Sequence, residues 1–133
     1  MNRVTGSDVV LVEDDAALQK SLRFALTAEG YSVRVFSSGP ELLSASNPNA
    51  MGACLIIDYH LPGGINGVEL LGRLRARQIT TPAILITSHP SPALREQARA
   101  AGFFKIVEKP LLTDALNRSL HEVISGQAGH QPV

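Results

Sequence analysis

Five short runs rich in apolar and β-branched residues constrain what this chain can fold into: residues 9–12, 33–36, 54–57, 83–86 and 103–107. The first, third and fourth are continuously apolar. Such runs suit strands of a parallel sheet that is covered on both faces. The second, Val33-Arg34-Val35-Phe36, alternates as an edge strand does. Helical patterns fill the intervals. Over residues 15–29, Leu18, Leu22, Ala25 and Leu26 recur at spacings of three and four, and Gly30 stops the pattern. Residues 41–46 read as a short helix with Ser38 or Gly39 near its cap and Pro40 in its first turn. Leu70, Leu71 and Leu74 mark a buried stripe over 67–78. Residues 92–101 offer only Leu94, Ala98 and Ala101 to a core. Residues 112–125 place Leu112, Leu116, Leu120, Val123 and Ile124 on one side.

Strand and helix therefore alternate five times, which predicts a single-domain α/β fold with a parallel sheet and right-handed crossovers. The expected limits are a domain over 8–125, an N-terminal tail over 1–7 and a C-terminal tail over 126–133 that frays from Gly126. Composition agrees with one domain. The 133 residues are 44% hydrophobic and 18% charged, which is globular rather than disordered. Twelve basic and twelve acidic side chains balance, whereas a nucleic-acid module normally carries a basic excess. No direct nucleic-acid contact is expected. A lone cysteine, Cys54, excludes an internal disulfide framework and reads as a small core residue. No run approaches the ~20 apolar residues of a membrane span, and the first residues lack a signal-peptide core. A cytoplasmic location is the expectation.

Ligands of open α/β sheets bind beyond the carboxyl ends of the strands. The residues that follow the runs are Glu13-Asp14-Asp15, Asp58, Thr87-Ser88 and Glu108-Lys109-Pro110. Each has an ordinary structural reading: Asp14 or Asp15 as a helix N-cap, Asp58 as a turn former before Pro62, the others as loop residues. Together they put several carboxylates, a hydroxyl and an ammonium on one rim. Clustered carboxylates repel unless positive charge sits among them, and such a rim suits a hard cation.

The order and spacing of Val12-Glu13-Asp14-Asp15, Leu55-Ile56-Ile57-Asp58-Tyr59-His60-Leu61-Pro62, Ile84-Leu85-Ile86-Thr87-Ser88 and Glu108-Lys109-Pro110 resemble the receiver domain of two-component response regulators, of the CheY-like superfamily. The likeness runs from about residue 8 to residue 124. Residues 21–24 and 107–110 lean towards the nitrogen-fixation-type branch. The resemblance implies a flavodoxin-like (βα)5 sheet of order 2-1-3-4-5 with helices on both faces. It implies that Asp58 accepts a phosphoryl group from a phosphohistidine of a sensor histidine kinase or phosphotransfer protein. Glu13 and Asp14 match the acidic pair that holds Mg2+, with Asp58 and the His60 backbone carbonyl as further ligands. Thr87 and Lys109 match the groups that bind the phosphoryl oxygens. His60 and His89 occupy positions that flank the acyl phosphate and tune its attack by water; as isolated residues they read equally well as exposed loop histidines. On this reading the domain is not an enzyme. It assists only its own Mg2+-dependent phosphorylation and dephosphorylation, and signals by conformational change to a downstream protein, an output domain or a second copy in a phosphorylation-dependent dimer.

Two departures stand out from the family pattern. The step from Asp58 to Gly67 is nine residues, one longer than usual, with Gly63-Gly64 supplying the extra length. Ile106, three before Lys109, stands where the family has an inward-turning Tyr or Phe, so the readout is expected to differ; Phe103 and Phe104 sit elsewhere on the strand. Arg73, Arg75 and Arg77 read as a solvated face rather than a phosphate patch, Arg95 and Arg99 as a partner surface, and His121 and His130 as surface residues. About nine residues follow Ile124, too few for a DNA-binding output domain. With Met1 and no tag, a complete single-domain regulator is expected over an excised receiver. Other classes fit less well. A Mg2+-dependent aspartyl phosphatase needs a spaced Asp pair after the first strand, a flavin carrier needs a phosphate-binding loop there, and a pseudo-receiver would lack the rim residues.

Overall fold

A computed structural model of the chain describes residues 8–45, 47, 51–109 and 113–127. Its elements run β1 (Asp8–Val12), α1 (Ala16–Ala28), β2 (Ser32–Phe36), α2 (Gly39–Ala45), β3 (Cys54–Asp58), α3 (Gly67–Ala76), β4 (Ala83–Thr87), α4 (Pro92–Ala101), β5 (Lys105–Glu108) and α5 (Thr113–Gln127). All strand pairs are parallel, in the order β2-β1-β3-β4-β5. The parallel sheet is the one expected from the alternation, its strand order is the one the receiver resemblance implies, and the alternating strand β2 lies at one edge.

Side-chain alternation splits each central strand between two cores. Val9, Leu11, Cys54, Ile56, Ile84 and Ile86 pack with Leu22 and Leu26 of α1 and Leu116, Leu120 and Val123 of α5. Val10, Val12, Leu55, Ile57, Ala83 and Leu85 face α2, α3 and α4, through Leu42, Leu70, Leu71, Leu74, Leu94 and Ala98. The continuous apolar runs are thus runs with a core on each side, and every residue of β3 and β4 is buried. Cys54 is one of these core residues.

Cap chemistry fixes the element ends. The Asp15 side chain accepts a hydrogen bond from the Leu18 N–H at 3.0 Å, so α1 starts one residue after its N-cap. Asn66 and Glu69 form a capping box on α3. That helix ends at Ala76 rather than Gln78, because Gln78 adopts a left-handed φ of 65°. The last strand begins at Lys105, two residues later than the apolar run suggests. The Phe103 N–H is committed to the Ala98 carbonyl in the C-cap of α4, where Gly102 is left-handed, so the ladder starts only with the Phe104 N–H on Ala83. At the C-terminal end, α5 continues through Gly126 to Gln127, past the expected fraying point. Pro110, Leu112, His130 and the 1–7 tail lie outside the described residues.

Burial separates the core from the surface in a measurable way. Leu74→Ala removes a fully buried side chain and is expected to destabilise the domain by about 2–5 kcal/mol. Phe24 on α1 is 77% exposed, and Phe24→Ala is expected to change stability by less than about 0.5 kcal/mol. Urea denaturation of the two variants checks the contrast; similar losses would contradict the packing described.

Candidate functional site

The carboxyl ends of β1, β3, β4 and β5 meet on one rim. Register sets their relative heights: Val12 pairs with Ile57, Asp58 with Ile86, and Thr87 with Glu108. Glu13 and Asp58 therefore emerge side by side, Thr87 one step further along, and Lys109 directly after β5. The Lys109 N–H donates to the Thr87 carbonyl at 2.8 Å, which extends the ladder by one residue and brings the lysine over the rim.

Lys109 Nζ donates to Asp58 Oδ2 at 2.8 Å and stands 3.4 Å from Glu13 Oε1. Asp58 and Glu13 are both almost wholly buried, at 3% and 1% exposure. Asp14 is exposed and completes a group of three carboxylates, with one oxygen from each lying within 4.8 Å of the others. The Asp15 N–H donates to Glu13 Oε2 at 2.9 Å, whereas Glu13 Oε1 is buried without a hydrogen bond. One ammonium thus faces a cluster carrying three carboxylates. Burial, and then the facing Asp58, push the Glu13 carboxyl up to about 7. Burial alone would lower the Lys109 ammonium, but its hydrogen bond to Asp58 and the two carboxylate charges outweigh that and hold it above its ordinary value. A set of hard oxygens with a buried oxygen lacking a hydrogen bond fits a divalent cation such as Mg2+.

The remaining predicted residues fall around this centre. Thr87 is buried, and its Oγ1 accepts the His89 N–H at 3.3 Å. The His60 N–H lies 3.3 Å from Asp58 Oδ1, and its exposed ring meets Tyr59 edge-on at 4.8 Å. Both histidines flank the rim with exposed side chains. Ile106 does not reach it. This residue pairs with Leu85 in the sheet and packs, partly buried, against the core under α2, α3 and α4. Asp15 takes the capping role, leaving Asp14 as the second rim acid.

Gly67 has a role that spacing alone did not show. A Cβ there would lie 2.3 Å from the Asp58 carbonyl oxygen, and the Gly67 N–H donates to the Tyr59 carbonyl at 2.8 Å. Close approach, not an unusual φ, demands glycine at this position. Gly63 and Gly64 take φ of 96° and 93°, which lets the longer loop turn before α3.

Gln19 was missed. Its side-chain amide donates to the Glu13 carbonyl and, at 3.1 Å, to Ser37 Oγ. It thereby ties the end of β1 to the residue after β2. The sequence held only a weak signal, an amide side chain one helical turn after Asp15. The arginine group also needs correction. Arg75 is partly buried and donates to the Ile79 and Thr81 carbonyls at 2.9 and 2.8 Å, and Arg77 donates to the Leu43 carbonyl at 2.7 Å. Arg75 is thus withdrawn from the solvated face, whereas Arg73 and Arg77 remain exposed as expected, Arg77 while also bracing the backbone. His121 is exposed, as expected, 3.5 Å from Ser125 Oγ.

A doubly wound sheet with this rim is the architecture of a two-component receiver. The chain belongs to the response regulator receiver domain family, whose sequence profile matches residues 9–121. It is 32% identical over 120 residues to transcriptional regulatory protein FixJ of Bradyrhizobium diazoefficiens, covering 90% of this chain and 58% of that protein. It is 38% identical over 104 residues to the C4-dicarboxylate transport regulatory protein DctR of Rhodobacter capsulatus, covering 77% and 52%. The chain thus spans little more than half the length of these relatives. Among solved structures, a CheY-like receiver domain protein of Methanospirillum hungatei superposes with a TM-score of 0.84 at 25% identity, over 92% of this chain and 97% of that one. The receiver domain of a sensor histidine kinase of Pseudomonas aeruginosa, with a magnesium ion coordinated in its active site cleft, gives 0.80 at 24% identity, over 90% and 98%. Family membership makes this a domain that sensor kinases phosphorylate on aspartate. Among the described residues no helix is long and apolar enough to cross a membrane.

The raised Glu13 carboxyl carries a stability signature. Its protonated form is favoured by the fold, so that contribution is full below pH 4.5 and is lost as the pH rises through about 7. Glu13→Gln keeps the position uncharged throughout. In Mg2+-free buffer its stability advantage over the parent is expected to grow between these values and level off above them, at about 1–3 kcal/mol. Urea midpoints across that range check this; a pH-independent difference would contradict it.

Proposed function

We propose that Asp58 is the aspartate that takes the phosphoryl group. Its carboxylate is buried at the end of a central strand, is hydrogen-bonded to Lys109, and has a hydroxyl and two further acids beside it. In the transfer, an Asp58 oxygen attacks the phosphorus of an N-phosphorylated histidine on a sensor kinase or phosphotransfer protein. The P–N bond breaks as the P–O bond forms, and the departing imidazole takes up a proton. Water later attacks the same phosphorus and returns inorganic phosphate and the free carboxylate.

Phosphoryl transfer asks a protein mainly for positioning and charge stabilisation. Lys109 supplies fixed positive charge where the equatorial oxygens gather, and the Thr87 hydroxyl is the neutral donor on the adjoining strand. Glu13, Asp14, Asp58 and the His60 carbonyl would hold Mg2+, which supplies the positive charge that lets an anionic group approach three carboxylates. Gly67 keeps the backbone of Asp58 in place, and Gln19 keeps that of Glu13. His60 and His89 flank the rim and control how water reaches the acyl phosphate.

The output runs through the α4 side of the sheet. Thr87 lies on the strand face shared by Ala83 and Leu85, and Ile106 packs on that same face. A branched aliphatic side chain there repacks in place of a ring that rotates. The downstream partner is a protein surface or an attached output domain; the relatives are named as transcriptional regulators. A cytoplasmic site of action follows from a kinase donor.

Acetyl phosphate with Mg2+ is expected to add one phosphoryl group to the protein by intact-mass spectrometry, and none to Asp58→Asn. A modified Asp58→Asn variant would overturn the assignment. Asp14→Ala is expected to weaken Mg2+ binding in calorimetry by about tenfold or more, with phosphorylation falling in parallel. Unchanged affinity would remove Asp14 from the cation site. Truncating His60 and His89 together to alanine is expected to change the lifetime of the phosphorylated form; an unaltered lifetime would leave both as ordinary loop residues.

A further inference from the structure

A second concave feature lies away from the rim, between α2, α3 and the loop that joins β3 to α3. Its volume is about 440 Å3, and Pro40 and Leu43 of α2, Ile65 of the loop, Arg73 of α3 and Arg77 at the C-cap of α3 line it. The longer loop builds one wall. Gly63 sits so close to α2 that a Cβ would lie 2.8 Å from Pro40 Cδ, and its φ of 96° suits only glycine.

The three arginines in and just after α3 have separate fates. Arg75 turns to the Ile79 and Thr81 carbonyls. Arg77 reaches across to the Leu43 carbonyl at 2.7 Å, which fixes one guanidinium at the cleft. Arg73, one helical turn earlier, is exposed and takes part in none of the ion pairs among the described residues. Among the described residues, none of those that line the cleft is acidic. A guanidinium is the side chain best suited to carboxylate in a forked geometry.

We propose that this cleft docks an acidic segment of a partner protein, with carboxylates on Arg73 and Arg77 and an aliphatic side chain against Pro40 and Leu43. The open shape favours a chain segment over a free metabolite. Pro40, Gly63, Gly64 and both arginines are solvent-exposed, whereas small-molecule pockets typically enclose ~70–90% of their ligand. A peptide running across the surface needs no such enclosure, because its affinity comes from several shallow contacts and charge complementarity.

The test is an amide NMR titration of the full chain with the blocked peptide Glu-Asp-Leu-Glu-Asp. Its neutral counterpart Gln-Asn-Leu-Gln-Asn and inorganic phosphate serve as comparison probes. The acidic peptide is expected to shift amides of residues 63–65 and 73–77 saturably, with affinity that falls as salt is raised. Arg73→Gln is expected to weaken it about tenfold while leaving the rest of the amide spectrum in place, since this exposed side chain braces nothing. Arg73→Lys is expected to restore part of the affinity. Equal binding of the neutral peptide, unchanged binding by Arg73→Gln, or the absence of saturable shifts would overturn the proposal. Phosphate binding at these amides as tightly as the peptide would also overturn it, in favour of a free-anion site.

Discussion

The ion pair between Lys109 Nζ and Asp58 Oδ2, at 2.8 Å, is the interaction on which the rest of the site depends. Each carboxylate at the rim raises the electrostatic cost of its neighbours, and burial raises it further. Lys109 offsets part of that cost at Asp58 and, more weakly, at Glu13, 3.4 Å away. What remains is carried by Glu13, whose carboxyl is pushed up to about 7. The rim is short of positive charge by design of its residues, and both an incoming cation and the lysine act on the same deficit.

The sheet makes this arrangement possible. Parallel pairing in the order β2-β1-β3-β4-β5 brings the ends of strands far apart in sequence to one edge, so that residues 13, 58, 87 and 109 become neighbours. Backbone contacts then hold the rim together. Gly67 presses on the Asp58 carbonyl, the Lys109 N–H extends the β4–β5 ladder, and Gln19 bridges β1 to the residue after β2. Two large cores on opposite faces support the rim from below. Chemistry at the edge therefore rests on a rigid platform, while α4 buries only Leu94 and Ala98 and is the less firmly held neighbour of Thr87.

Much of this was legible in the sequence, for a physical reason. Fully buried strands must be continuously apolar, so β1, β3 and β4 announced themselves, and their first polar successors were the rim residues. The errors came where backbone hydrogen bonding overrode hydrophobicity. Phe103 reads as strand by its side chain, but its N–H belongs to the cap of α4. Arg75 reads as a surface charge, but its guanidinium is half-buried and satisfies two carbonyls at 2.9 and 2.8 Å. Gln19 and the close approach at Gly67 left almost no trace in the sequence, because each depends on a contact between segments that spacing does not reveal. By residue type alone Asp14 and Asp15 could each cap α1; the resemblance matched Asp14 to the rim, and the structure gives the cap to Asp15 through the Leu18 N–H.

Charge deficit at the rim is the central claim, and the carboxyl carbon of Glu13 reports on it directly. A carbon-13 NMR titration of carboxyl-labelled protein without divalent ions is expected to place the Glu13 midpoint near 7, well above the ordinary 4.5. Addition of Mg2+ is expected to move that midpoint downward, because a cation favours the charged form. A midpoint near the ordinary value without Mg2+, or one that Mg2+ leaves in place, would contradict the account.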